Sequence, residues 1–309
     1  MEMFRPTREQ FEKMSAKICD QMREFAFPFV PSISCEIETN VADHHGSGLY
    51  IRLGNETYIL TNEHVARVMQ SRPLAHQLLD GENSTRIMHA VQAAKAPYDL
   101  ALTRVDASVW NDPRNNRKAL DVSKLARHHD PAEHDFLFML GYSGQRSFFS
   151  PSLESLMTNG TPYLTQESKD RPDDLGDMYF AIPSLPELAK SLTGKSANLP
   201  DPHGFSGSPV WDTRFRQCDL QGAKWSPEES QITGVIFLWR KDTRQLIAVK
   251  AEYIVEFLLY ALRCEAAYFR WLNAGKPEGK SMEDWTWAEQ AIPSLDVLAS
   301  PSLEPDESA

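Results

Sequence analysis

Hydrophobic positions change their spacing twice along this chain. Over residues 7–26, Phe11, Met14, Ile18, Met22 and Phe25 recur at steps of three and four, which lines one face of an amphipathic helix. Pro28 and Pro31 end that helix. From Ser32 onward the pattern turns to short runs rich in β-branched and aromatic residues. The run 32–38 alternates, and the runs 48–52 and 57–61 are joined by Leu53-Gly54-Asn55-Glu56, where Gly-Asn signals a tight hairpin. Further strand-like runs cover 86–93, 100–105, 135–140, 231–238 and 245–249. Short strands in such number predict an all-β sandwich or barrel over 32–249. The stretches 106–134 and 150–203 read as long loops, the second with a short helix near 185–192. Long loops in a compact domain are more often functional than idle. Helical spacing returns over 251–273, with Ile254, Phe257, Leu258, Ala261 and Leu262 on one face. From Lys276 the composition turns to Pro, Glu, Ser and Asp, which predicts a disordered tail.

Composition narrows the classes of function. The 309 residues carry a formal net charge of −11, a poor fit to nucleic-acid binding, which needs basic surface to displace counterions. The first 25 residues are polar and charged, without the apolar stretch of a secretory signal, and no run of about 18 apolar residues offers a membrane span. A cytoplasmic protein is the expectation. Cys19, Cys35, Cys218 and Cys264 are far apart and form no CxxC pair, so reduced thiols are expected. His44-His45 and His128-His129 with His134 lack any zinc-binding spacing, and neither metal nor cofactor is expected.

Three segments carry candidate chemistry. His45-Gly46-Ser47-Gly48 leads by the hairpin to Thr61-Asn62-Glu63-His64. Tyr98-Asp99-Leu100-Ala101-Leu102 follows, and Gly204-Phe205-Ser206-Gly207-Ser208-Pro209 comes last. A serine hydroxyl is a weak nucleophile and needs an imidazole to take its proton. His64 can do this for Ser206, with Asp99 fixing the tautomer and steadying the cation. Each residue alone has an ordinary reading: a turn serine, a packed histidine, a capping aspartate. Their joint presence and order favour the triad. An α/β-hydrolase requires Gly-x-Ser-x-Gly with a histidine after the serine; Gly204-Phe205-Ser206-Gly207-Ser208 lacks the last glycine, and no histidine follows His203.

In this order the segments resemble the chymotrypsin-like (trypsin-like) serine peptidase family, most of all its disulfide-free bacterial members, over residues 32–249. The resemblance implies two six-stranded antiparallel β-barrels with flanking N- and C-terminal helices. The expected divisions are a helix over 1–29, a first barrel with His64 and Asp99 over 30–128, a second with Ser206 over 129–250, a helix over 251–275 and a tail over 276–309. It also implies an oxyanion hole from the backbone N–H groups of Gly204 and Ser206, and a strand, Phe237-Leu238-Trp239, that pairs with the substrate backbone. Trp239 stands where a small residue often admits the P1 side chain, and would narrow or cover that pocket. Asp201 is either an acid near the pocket base, favouring a basic P1 residue, or an ordinary loop acid. Leu140-Gly141-Tyr142-Ser143-Gly144 fits a structural strand end, and the aromatic residues of 253–271 fit helix packing or a partner's docking surface. Phe205 replaces the aspartate that pairs with a new N-terminus in secreted digestive members, so activation by that route is not expected, and Ser208 replaces the commoner glycine. The expected function is a serine endopeptidase acting on protein or peptide through an acyl-enzyme on Ser206, either active as made or latent until a partner or processing releases it. The alternative is a catalytically silent trypsin-like module that binds or regulates a protein, which Trp239 and the long 150–203 stretch motivate. An activating or inhibitory protein partner fits either reading, whereas nucleic acid and membrane fit neither.

Overall fold

Thr7 opens the first helix, α1 (Arg8–Ala26), with a capping box: its hydroxyl accepts the Gln10 N–H, and the Gln10 side chain accepts the Thr7 N–H. Ile18, Cys19, Met22 and Ala26 form its buried face. The computed structural model of the chain describes residues 7–299 apart from 39–40, 78–83, 113–114, 151, 153–154, 188 and 190–198. The helix expected near 185–192 lies largely outside the described residues.

Strands follow in quick succession: β1 (Ser32–Glu38), β2 (Val41–Ser47), β3 (Leu49–Leu53) and β4 (Glu56–Thr61). The short helix α2 (Glu63–Ala66) leads to β5 (Leu74–Gln77), β6 (Ser84–Arg86), β7 (Val91–Ala94) and β8 (Leu100–Arg104). After α3 (Ala107–Asn111) and β9 (Leu120–Asp121) come β10 (Leu137–Ser150), β11 (Ser155–Thr165), β12 (Tyr179–Pro183) and β13 (Pro209–Asp212). Helix α4 (Phe215–Gln221), β14 (Gln231–Arg240), β15 (Gln245–Lys250), α5 (Ala251–Asn273) and α6 (Ser281–Ala291) complete the order.

These strands form three open sheets, ordered β2-β1-β5-β6, β7-β8-β4-β3-β9 and β11-β10-β13-β14-β15-β12. The molecule is mostly β with flanking helices, but its hydrogen-bonded orders do not close into two six-stranded barrels. In the first half the chain changes sheets at Gly48, between β2 and β3. A Cβ there would lie 3.0 Å from Ile59 and 3.2 Å from the Leu60 carbonyl, so the corner takes glycine. The expected strand over 86–93 is split into β6 and β7, which lie in different sheets. The stretch read as a loop over 150–203 contains β11 and β12, and the tail expected to be disordered contains α6.

Three apolar clusters hold the sheets. The largest brings together Ile18, Met22, Leu60, Phe138, Trp211 and Leu258, so that α1 and α5 pack with the five- and six-stranded sheets. A second, with Ile33, Tyr50, Ile59 and Leu74, joins the four- and five-stranded sheets. A third, with Phe180, Phe205, Val210, Ile236 and Leu246, lies within the second half. Among the described residues, no helix is long and apolar enough to cross a membrane.

Candidate active site

Strand pairing brings His64 and Asp99 together. β4 and β8 run antiparallel with Thr61 opposite Ala101, so the residues just after β4 and just before β8 meet at one sheet end. His64 is the second residue of α2. Its Nδ1 lies 2.7 Å from Asp99 Oδ2, and its backbone N–H donates to Asp99 Oδ1 at 3.0 Å. The Asn62 amide donates to the Asp99 carbonyl at 2.8 Å. Asp99 adopts φ +48°, a left-handed conformation that costs energy in a residue other than glycine and persists only where the surroundings fix it. These three bonds supply that constraint. A carboxylate accepts only, so Nδ1 carries the proton and Nε2 is left as the basic nitrogen. The His64 side chain is 35% exposed and that of Asp99 16%: the imidazole remains open to the cleft while the carboxylate is mostly covered.

Ser206 lies on the loop between β12 and β13. Two glycines shape this loop, Gly204 at φ +98° and Gly207 at φ +87°. A Cβ on Gly204 would come within 2.5 Å of His44 Nε2, and one on Gly207 within 2.0 Å of the Ser47 carbonyl, so no other residue fits either position. Between them Phe205 is fully buried in the third apolar cluster. An apolar side chain thus fills the position directly before Ser206. The Phe205 N–H donates to Pro202, the Gly207 N–H to Ile236 and the Ser208 N–H to Phe205. Among the described residues, the N–H groups of Gly204 and Ser206 find no protein acceptor. Left-handed residues on either side of a serine make a concavity of N–H groups suited to an anion.

A cleft of about 350 Å³ unites these groups: His64, Gly204 and Ser206 line it with Phe237, Leu238 and Trp239. The described residues show no hydrogen bond between His64 Nε2 and Ser206 Oγ; in unliganded sites this contact is often long and tightens on substrate. β13 pairs with β14 no further than Val235, and the Gly207 N–H takes the Ile236 carbonyl. From Phe237 onward β14 has β15 on one edge and the cleft at its other side. Trp239 stands opposite Leu246 of β15, and both line the cleft. Among the described residues, the buried Trp239 indole N–H has no acceptor. Asp201 lines the cleft too, but its Oδ1 accepts the His203 N–H at 2.9 Å and its carbonyl accepts the Ser143 hydroxyl at 2.8 Å. Those bonds place it in a turn at the cleft edge.

Two histidines of β2 are biased toward the neutral form. Burial lowers the pKa of His44 to about 4, against the pull of hydrogen bonds to the carbonyls of Gly204 and Tyr142. Burial also lowers His45, a bond to the Val65 backbone opposing it, while His64 and His203 nearby push it down further. Among the described residues, no group of three His, Cys, Asp or Glu side chains is arranged to hold a metal ion. Sequence reasoning missed Asn62 as a support of the Asp99 backbone; its one signal was a polar residue directly before the helix that carries His64.

A family described as trypsin-like peptidase domain matches residues 46–217, and one described as a protein of unknown function (DUF2934) matches residues 265–293. No curated protein matches. Among solved structures the chain is similar to the active form of the Rv3671c protease from M. tuberculosis, with 18% identity, 80% of this chain and 86% of that one covered, and a TM-score of 0.45. It is also similar to the MamO protease domain from Magnetospirillum magneticum, with 13% identity, coverage of 75% and 96%, and a TM-score of 0.42.

Proposed function

The chain belongs to the trypsin-like peptidase domain family, and from that premise we propose that it is a serine endopeptidase that cleaves protein or peptide substrates through an acyl-enzyme on Ser206. One observation carries the reading: His64, clamped to Asp99 at both its ring and its backbone, shares a cleft with Ser206 and two unengaged N–H groups. His64 Nε2 takes the Ser206 hydroxyl proton as Oγ attacks the scissile carbonyl, and returns it to the leaving amine. Asp99 holds the ring and steadies its cation. The oxyanion is received by the N–H groups of Gly204 and Ser206, where loss of one donor typically costs about 10²–10³ in rate. Water then attacks the acyl-enzyme, with His64 as base again. The substrate backbone lies along the open side of Phe237-Leu238-Trp239 as an added strand.

The buried Phe205 plug favours a nucleophile loop shaped without a newly cut N-terminus. A second reading, a latent or silent module awaiting a protein partner, draws support from the open His64–Ser206 contact and from Trp239 in the cleft. Labelling with a fluorophosphonate decides between them. The pure protein should label stoichiometrically and Ser206→Ala not at all. Absence of label on the unmodified protein would reject turnover in favour of the latent form. A location in the cytoplasm is part of the proposal, and fractionation of producing cells checks it.

A further inference from the structure

The carbonyl groups of residues 203–206 and the N–H groups of residues 204–207 can be accounted for one by one. The His203 carbonyl accepts from Gly144, the Gly204 carbonyl from the Ser47 hydroxyl, the Phe205 carbonyl from Ser208 and the Ser206 carbonyl from the Ser47 N–H. The N–H groups of Phe205 and Gly207 are also engaged. What is left over is the pair of N–H groups, Gly204 and Ser206, that face no protein acceptor. Two of the four carbonyl anchors come from one residue.

We propose that Ser47, the last residue of β2, is a positioning residue that holds the nucleophile loop in the shape that frees those two N–H groups for an oxyanion. Its catalytic consequence rests on the peptidase reading above; its structural part does not. Ser47 is fully buried. Its hydroxyl donates to the Gly204 carbonyl at 3.0 Å and accepts the Tyr142 N–H at 3.0 Å. Its N–H donates to the Ser206 carbonyl at 2.8 Å, and its carbonyl accepts the Thr61 hydroxyl at 2.7 Å. Thr61 is three residues before His64, so the same residue ties the loop to the strand that delivers the base. Besides Ser47, the Gly204 carbonyl has a longer contact, to His44 Nε2 at 3.4 Å, and that nitrogen is closer to the Tyr142 carbonyl, at 3.0 Å. Without the hydroxyl, the Gly204 carbonyl keeps one weak tether, and the Phe205 N–H bond to Pro202 is the one strong bond left to resist rotation of that peptide. The flanking glycines fit the same purpose. A Cβ on Gly46 would stand 2.8 Å from Val65 and 3.4 Å from the Ser206 carbonyl, and a Cβ on Gly48 would crowd β4, so Gly-Ser-Gly lets β2 approach the loop closely.

Ser47→Ala removes the hydroxyl and leaves both backbone bonds. With active sites counted by titration, kcat per site should fall about 10²-fold, the scale of one lost oxyanion donor, with KM unchanged. Ser47→Thr, which keeps a hydroxyl, should recover most of it. A purely structural role would lower the melting temperature or the titratable fraction and leave kcat per site alone. Amide hydrogen exchange of residues 203–207, compared between Ser206→Ala and Ser206→Ala/Ser47→Ala, needs no turnover and should be faster in the double variant. Unchanged kcat per site together with unchanged exchange overturns the proposal. Should the unmodified protein itself show no turnover, the peptidase reading fails on that ground, and the exchange comparison alone decides the role of Ser47. If Ser47→Ala does not fold, Ser47→Cys, similar in size but a weak donor, takes its place with the same readouts.

Discussion

Asp99 and Asp212 are acids in opposite settings. Asp99 takes two N–H donors from His64 and remains partly open at the cleft edge. Asp212, at the end of β13, is buried, accepts one backbone N–H from Arg214 and faces Asp135 and Asp130. Burial pushes its carboxyl up to about 7, with the two acids adding to the effect and the Arg214 N–H opposing it. The sign follows directly. Below about pH 4 the carboxyl is protonated in both states; between there and about 7 the folded protein retains a proton that the unfolded chain has released. Stability therefore falls as pH rises through that window, and the penalty is complete above it. Asp212→Asn, which still accepts from Arg214, should raise the melting temperature at about pH 8 and change it little at about pH 4.5. An equal gain at both pH values would contradict this account. At this scale the sequence marks side chains by type and order, which makes His64, Asp99 and Ser206 legible as candidates. The Ser47 hydroxyl and the Gly204 carbonyl lie 157 positions apart, and no local pattern encodes such a bond.

Elements differ in legibility because their burial differs. α1 and α5 each bury one stripe, and their spacing reads at sight. β11 and β12 were missed because they form the two edges of the six-stranded sheet. An edge strand tolerates polar residues and proline, and β11 carries Asn159, Gly160 and Pro162, which read as a loop. α6 buries only Asp284 and Ala288, so it offers no apolar period. The reading of β14 bears on substrate choice. With Trp239 and Leu246 side by side in the cleft, small P1 residues such as alanine should be the best substrates. Trp239→Gly should shift the preference among peptide amides toward large P1 side chains. An unchanged order of kcat/KM across such a series would show that the indole does not bound the pocket.

Across the whole molecule, the cores are shared rather than private to each sheet. Leu258 of α5 is fully buried in the cluster that also holds Leu60 and Phe138. Leu258→Ala should cost about 2–5 kcal/mol, read from the urea midpoint, and a loss well below that range would mean the helix is an ornament on the fold. Tyr58 donates to Glu265 from beneath the same helix, a contact linking strand and helix across 207 positions. The coarse architecture was legible because many short strands flanked by two helices admit few arrangements. The three-sheet division was not, since it turns on one corner at Gly48. His64 and Ser206 are presented from the ends of different sheets, and this has a consequence during synthesis. A ribosome completes His64 and Asp99 more than a hundred residues before Ser206, and the Ile236 carbonyl that receives the Gly207 N–H emerges later still. On the proposed chemistry, a chain that stops short of Ile236 is harmless to its neighbours, and cutting power arrives only once β14 has been made.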